Sequence, residues 1–493
     1  MSTSTNTDSP RPAVQKTDDL PENTGLSFLK GKLWLYLIIF FGVIALGKVI
    51  SAGTQQELWN QGTRNAISAT LLFLVLCAGL VNVHICFTAL ILYTPFMDAI
   101  PGSFGGLYPA LNLFNLLSTI VLLCWFVDKV KKERPFLVVN RATKFALLFA
   151  FLSVLSYIVN GFGYGTYYLS TMIFNLKRWV DPVLLFLIAS GLTYKRSLRK
   201  DMLIVLLLGA AMFIFLAIKD AGQVTHFAEE RRIRGAGDQP NMLGAFTVDY
   251  MFLFFGLLLV NYRKFIFWLN TLPFWWGIRT VALSFSRGAY TSFVIASLVI
   301  SFIKNKFVFV LVVAVYIFIA NNLWVLPQAV KERIEMTVSG QEMFNYGATF
   351  ETSTAQRIDA WKAVIPIIKE KPFLGYGIGM VQAYLSNYAG ILIGDVHNSY
   401  LLLAAEYGIL TLIVFLLSLF TGLRVAWFVY QHSQDGIFKG AALGFFAGII
   451  GLAINCLFGS HMTAVWEIGY FWILLAIFAN EEKELRQEMI DRR

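Results

Sequence analysis

Apolar residues in this chain collect into long runs separated by short polar connectors. A helix needs about 20 mainly apolar residues to span the hydrocarbon layer of a bilayer. Runs near that length are read at 33–50, 66–80, 83–97, 109–128, 142–160, 167–190, 200–219, 239–260, 264–283, 286–303, 306–325, 398–423, 438–458 and 462–480. The stretch 66–97 is open between two short helices and one long one. Two segments break the pattern. Residues 1–32 are rich in Ser, Thr, Pro, Asp and Asn without an apolar period, which reads as a disordered tail. They lack the basic-then-apolar layout and small-residue cleavage site of a secretory signal, so 33–50 is expected to be a retained helix. Residues 326–397 form the other, a long and more polar stretch.

Charge sets an orientation. Short loops rich in Lys and Arg stay cytoplasmic. Such loops hold Lys129, Lys131, Lys132 and Arg134, then Lys195, Arg196, Arg199 and Lys200, then Arg263 with Lys264, and Lys304 with Lys306. With a cytoplasmic start, all of them fall inside only if 66–97 crosses twice. The expectation is an all-α, polytopic transmembrane helical bundle of about 12–14 spans with both ends inside. It divides into a cytoplasmic tail (1–32), an N-terminal bundle (33–325), an outer loop with amphipathic helices (326–397), C-terminal transmembrane helices (398–480) and a second cytoplasmic tail (481–493). The segments 220–238, 284–287 and 326–397 then lie outside. Arg231, Arg232, Arg234, Arg287 and Arg357 are thus basic residues on the side where such residues are normally sparse.

Composition agrees with membrane residence. The chain is 57% hydrophobic and 14% charged, with a mean hydropathy of +0.64, whereas soluble domains carry about 25% charged residues. The net charge of +10 is mainly this orientation signal, so nucleic-acid binding is not expected. Cys77, Cys86, Cys124 and Cys456 all lie in apolar runs, which indicates neither a disulfide framework nor a zinc cluster.

The outer stretch has organisation of its own. Residues Thr354 to Lys369 carry apolar positions at helical spacing, as expected for an amphipathic helix at the membrane surface. Lys371-Pro-Phe-Leu-Gly-Tyr-Gly-Ile-Gly-Met380 follows, with glycines that permit a tight turn; no strand precedes it, so it is no dinucleotide-binding loop. Then comes Asp395-Val-His-Asn-Ser-Tyr400, leading into a span that contains Glu406-Tyr-Gly-Ile409.

In order and spacing these motifs resemble the O-antigen ligase and polymerase family of bacterial membrane glycosyltransferases. The resemblance rests on Arg234-Gly-Ala-Gly-Asp-Gln-Pro-Asn241, Ser286-Arg-Gly-Ala289, and Arg357 with Trp361 followed by Pro372-Phe-Leu-Gly-Tyr-Gly-Ile-Gly379. His397-Asn398 with Glu406-Tyr-Gly-Ile completes it. It covers about residues 230 to 415, whereas residues 1 to 100 depart from the family's shorter start and receive no role. The resemblance implies inverting, metal-independent transfer of a glycan from an undecaprenyl-diphosphate carrier to an acceptor hydroxyl. It places the protein in the bacterial inner membrane, with its active site facing the periplasm. Arg287 and Arg357 match the family's diphosphate-contacting arginines, and Arg234 is the third candidate. A guanidinium suits this task because its planar, permanently charged fork matches phosphate oxygens. His397 is implied as the general base, or as the group orienting the acceptor. Asn241, Asn398, Tyr400, Arg178 and Glu406 are candidate substrate-binding residues. No metal site or cofactor is indicated. The implied partners are the lipid-linked donor, membrane lipids, and a glycan or lipid A-core acceptor; the sequence leaves ligase, polymerase and protein-acceptor activity open.

Each assignment has a plainer counterpart. His397 and Asn398 at a helix start also fit a capping arrangement, and outer-face arginines also anchor in headgroups. Lys177 and Asp181 have the spacing of a helical ion pair, while Arg178 beside them could face an aqueous cavity. Asp249 and Arg279 raise the same question. His84, His432 and His461 lack a supporting motif, His226 shares only the outer arginine loop, and none is read as catalytic; Trp275 and Trp276 fit an interfacial belt. A lipid-linked glycan transporter is the alternative from another class. It would show internal repeats and broken helices near the midplane, whereas the distinctive residues here gather at one face.

Overall fold

The computed structural model of the protein describes residues 25–51, 61–100, 112–219, 232–237, 239–339, 350–389 and 395–492. Most of the expected N-terminal tail, together with Arg231 and His226, lies outside these residues. The chain is all-α, without a strand among the described residues. The N-terminal half contains α1 (Gly25–Ser51), α2 (Gln61–Val81), α3 (Val83–Tyr93), α4 (Leu113–Lys131), α5 (Arg141–Tyr164), α6 (Thr166–Leu192), α7 (Arg196–Lys219) and α8 (Pro240–Asn261). Then come α9 (Thr271–Ser284), α10 (Arg287–Lys304), α11 (Lys306–Asn321), α12 (Gln328–Ser339), α13 (Phe350–Glu370), α14 (Val381–Ala389) and α15 (Ser399–Tyr407). Three long helices close the chain: α16 (Ile409–His432), α17 (Gly436–Phe458) and α18 (Val465–Asp491).

Hydrocarbon offers no partner for a free backbone N–H, so membrane helices need their ends satisfied locally. Side-chain oxygens of Asn82, Asn112, Asn140, Ser286, Asn305, Asn398 and Asp435 accept backbone N–H groups at the starts of α3, α4, α5, α10, α11, α15 and α17. By length and composition α4, α5, α7, α8, α10, α16 and α17 can each cross a bilayer, and shorter apolar helices lie in α1, α2, α3 and α11. The protein is therefore a multi-pass membrane protein.

Two of the expected spans are resolved differently. The stretch 66–97 is indeed two helices, divided at Asn82, but α3 has 11 residues and a reach of only about 17 Å at 1.5 Å per residue. The run 398–423 is broken at Gly408 (φ +91°) into the short α15 and the long α16; periodicity could not reveal this because both pieces are apolar. The segment 481–493, expected as a tail, continues α18 to Asp491. There Arg199, almost fully buried, donates to Glu481 Oε2 at 2.8 Å and pairs with Glu484. Arg424 grips Glu482 through two nitrogens, at 2.8 and 3.1 Å. Arg199, from a basic cluster read as an orientation signal, thus also clamps α7 to the acidic end of α18, and Arg424 does the same for α16.

The bundle is densest where α8 meets α17. Gly440, Gly444 and Gly448 recur every four residues along α17, the spacing that lets membrane helices approach backbone to backbone. A Cβ on Gly444 would fall 2.2 Å from the Phe252 carbonyl oxygen, and one on Gly448 would fall 2.1 Å from that of Asp249. A second, smaller core joins Ala360, Val364 and Ile367 of α13 with Tyr376, Val381, Val396 and Ala405. The apolar face of α13 is spent on this core.

Gly444→Ala is expected to destabilise the bundle by about 1–3 kcal/mol, the usual range for overpacking. Gly42→Ala, whose added methyl meets nothing within 4 Å, should not lower stability. Thermal unfolding midpoints of the two variants in detergent check this, and equal midpoints would refute the close packing of α8 on α17.

Candidate functional site

The site begins with a backbone splice. The turn 372–379 lies against the C-terminal end of α15, whose last carbonyls have no partner inside their own helix. Tyr376 N donates to Ala405 O at 2.8 Å, Gly377 N to Glu406 O at 3.0 Å, and Ile409 N to Pro372 O at 2.7 Å. The Glu406 side chain joins in, Oε1 accepting from Gly379 N at 2.8 Å. From α5, Ser156 Oγ donates to Leu374 O at 2.6 Å. Glycine-rich turn, α15 and α5 thereby become one unit.

At the opposite end of α15 sits His397. Its φ of +51° is left-handed backbone, which costs a residue with a Cβ roughly 1–2 kcal/mol. Both neighbours are held: Trp361 Nε1 of α13 donates to Val396 O at 3.1 Å, and Asn398 Oδ1 caps α15 by accepting from Tyr400 N and Leu401 N, both at 3.0 Å. Ser399 donates through N and Oγ to Gly459 O at 3.1 and 2.8 Å. Asp395 Oδ2 stands 3.2 Å from His397 Nδ1, while its Oδ1 accepts from Ser460 Oγ at 2.5 Å. A carboxylate on Nδ1 fixes the tautomer and leaves Nε2 to accept a proton. Burial lowers the His397 pKa below the ordinary 6.5; Asp395 opposes this, and Arg357 and His461 reinforce it.

The arginines assemble around the turn between α9 and α10. Phe285 holds this turn in left-handed backbone at φ +50°, and Ser286 Oγ caps α10, so Arg287 occupies the first helical position. The carbonyls left over at the end of α9 receive guanidinium groups, as suits the negative end of a helix. Arg232 Nε donates to Ser284 O at 2.9 Å, and Arg333 Nε to Phe285 O at 3.2 Å. Arg232 also donates through Nη2 to Asn241 Oδ1 at 2.6 Å. Arg357, on α13, has a buried Nε without a hydrogen-bond partner. Its pKa is pushed down by burial first, then by Arg287 and Arg232, and held up by Asp395. Arg287, Arg232 and Asp395 therefore act electrostatically on Arg357, and Arg357 and Asp395 act in turn on His397, although these groups come from four separated parts of the chain.

The other candidates fall in distinct places. Arg234 is exposed in the turn ahead of α8. Asn241 is engaged by Arg232, Asn398 is a helix cap, and the Tyr400 hydroxyl donates to Ala453 O at 2.7 Å. Arg178 and Glu406 line a cavity of about 860 Å³ that Asp395 also borders. Lys177 and Asp181 form the ion pair their spacing suggests.

Several residues of the cluster escaped sequence reasoning. Arg232 is drawn in by Ser284 and Asn241, neither of which its neighbourhood in sequence discloses. For Asp395 a signal existed, a carboxylate two residues before the histidine. His461 carried none: it is buried, its Nδ1 lies 2.9 Å from the buried Glu467 Oε1, and it bears on His397 only through the fold.

Residues 272–416 match the family model described as O-Antigen ligase. The matched stretch runs from α9 into α16 and includes Arg287, Arg333, Arg357, the glycine turn, Asp395 and His397. Arg232 and His461 lie outside it. A comparison with curated proteins finds no match.

Imidazole NMR of ring-labelled protein is expected to give His397 a midpoint below 6.5. Asp395→Asn, which removes the charge that favours the imidazolium, should move the midpoint lower, and His461→Gln should move it higher. Shifts of the reverse sign would contradict the arrangement.

Proposed function

We propose that this membrane protein, whose residues 272–416 match the O-antigen ligase family model, is an enzyme of the O-antigen ligase and polymerase type that transfers a glycan from an undecaprenyl-diphosphate carrier to an acceptor hydroxyl. The site faces the periplasm of a bacterial inner membrane in this reading. The observation that carries the proposal is the Asp395–His397 pair standing within the electrostatic reach of Arg357, itself beside Arg287.

The reaction needs charge stabilisation at one end and a proton acceptor at the other. The acceptor oxygen attacks the anomeric carbon, and the bond from that carbon to the diphosphate oxygen breaks. The leaving diphosphate takes the electron pair and gains negative charge, which Arg287 and Arg357 stabilise. Arg287 adds the positive end of α10 to its own charge. The acceptor proton passes to His397 Nε2, because Nδ1 is turned to Asp395. A single displacement of this kind inverts the anomeric centre, and the arginines supply the electrostatics that a divalent cation could otherwise provide. Arg232 and Arg333 hold the turn that presents Arg287, and Arg234, exposed ahead of α8, is the third cationic candidate. The gathering of these residues at one face favours chemistry there over alternating-access transport.

Purified protein in nanodiscs, supplied with a polyprenyl-diphosphate-linked glycan and candidate acceptors, tests the proposal. His397→Ala should lower the transfer rate by about 10²–10⁴-fold, the usual contribution of a general base. Arg357→Ala should cost about 10²–10³-fold, as for loss of one oxyanion donor. Normal transfer by both folded variants would sink the proposal.

A further inference from the structure

The loop between α17 and α18 touches the chain on both sides of His397. Two residues after the histidine, Ser399 donates through N and Oγ to Gly459 O at 3.1 and 2.8 Å. Two residues before it, Asp395 Oδ1 accepts from Ser460 Oγ at 2.5 Å. The loop is itself firmly placed. Thr463 donates through N and Oγ1 to Ser460 O at 3.3 and 2.8 Å. Buried His461 keeps Nδ1 2.9 Å from Oε1 of Glu467, in the first turn of α18. Gly459 leaves room for that ring, since a Cβ there would fall 2.3 Å from His461 Nε2. All of this lies beyond the stretch 272–416 that matches the family.

Asp395 has more than one claimant. Its carboxylate bears on Arg357 as well as on His397, and with its side chain 36% exposed, water reaches it too. An unheld carboxylate would turn for part of the time to the guanidinium, whose charge is permanent, or to solvent. The imidazole would then lose the acceptor at Nδ1 that sets its tautomer, and part of the Arg357 charge would be neutralised. Ser460, only 8% exposed, prevents both by fixing Oδ1, which leaves Oδ2 on His397. We infer that Ser460 is a positioning residue for the proposed transfer reaction: its hydroxyl holds Asp395 on His397, so that Nε2 stays the nitrogen that takes the proton. The inference rests on that reaction and adds to it a residue that acts through Asp395.

The experiment uses the full chain in nanodiscs with a polyprenyl-diphosphate-linked glycan and candidate acceptors. Ser460→Ala should lower kcat by about tenfold, the lower end of what one hydrogen bond to a charged group carries. The KM values for donor and acceptor should stay unchanged, as for an interaction that serves the transition state. Ser460→Thr, which keeps the hydroxyl, should restore most of the rate. In an Asp395→Ala background Ser460→Ala should cost nothing more, because the two residues act as one unit. Imidazole NMR reads the same contact without turnover. The groups acting on the His397 charge are Asp395, Arg357 from α13 and His461 from the α17–α18 loop, and of these Asp395 alone favours the imidazolium. Ser460→Ala lets that carboxylate drift, so the His397 midpoint should fall further below 6.5, while Ser460→Thr should leave it in place. A merely structural contact would slow both backgrounds alike and leave the midpoint unmoved. That outcome, or an unchanged kcat in Ser460→Ala, overturns the inference and leaves the transfer reaction standing. Absence of transfer from wild type to any acceptor overturns both.

Discussion

Buried irregular backbone must find its hydrogen bonds inside the protein, and the splice between the turn 372–379, buried at 375–378, and the end of α15 meets that demand. The two strips interlock so closely that side chains are excluded. A Cβ on Gly408 (φ +91°) would fall 2.0 Å from Phe373 O, and one on Gly375 (φ +67°) would fall 2.4 Å from the carbonyl of Glu406. Only glycine fits both the space and the left-handed backbone. What depends on this contact is the distance between Arg357 and His397. Arg357 rides on α13, which ends at the turn; His397 leads into α15, which ends at the same turn. The Trp361 to Val396 bond closes the other side of the frame. Arg357 and His397 are thus held in one frame of helix and turn.

The second organising feature is a division of labour among like charges. Gathering guanidinium groups is unfavourable: burial first, and then Arg287 and Arg232, push the pKa of Arg357 down. The cost is limited because Arg232 and Arg333 are turned onto the carbonyls that end α9, where a cation also completes unsatisfied backbone. Asp395 adds a counter-charge. Arg357, whose Nε is buried without a hydrogen-bond partner, is a group whose charge an incoming anion can answer.

Much of this was legible in the sequence, and the parts that were not share a cause. Apolar runs and basic loops disclosed the helices. The glycine turn and His397 stood out because local residue types carried their meaning. Gly408 hid within an apolar run, where its break leaves no polar signature, and the docking of α18 hid because Arg199 and Glu481 are far apart in sequence. Arg232 and Arg234 are two residues apart, and nothing local says which of them turns toward Ser284. His461 lay beyond reach for the same reason: it meets His397 only when the start of α18 folds back against the start of α15 through Gly459 and Ser460. Pattern reads elements and single residues well; constellations drawn from several elements need the fold.

Under the proposed reaction the site faces two demands that look opposed: it must be cationic where the leaving group departs, yet keep a basic imidazole beside those cations. The arrangement reconciles them through His397. Burial and Arg357 hold the imidazole neutral, so it is ready to accept a proton, and Asp395 prevents that depression from removing its basicity altogether. A donor diphosphate changes this balance on arrival. Its negative charge offsets Arg357 and Arg287, the depression of His397 weakens, and the imidazole becomes a stronger base once there is a donor to react with. Electrostatic linkage runs both ways, so a neutral His397 spares the bound diphosphate nothing, whereas a protonated one would attract it further. The proton taken from the acceptor therefore arrives as an added positive charge just as the leaving group gains its negative one. Proton transfer and departure of the diphosphate favour each other, and the short frame between α13 and α15 makes that mutual aid strong.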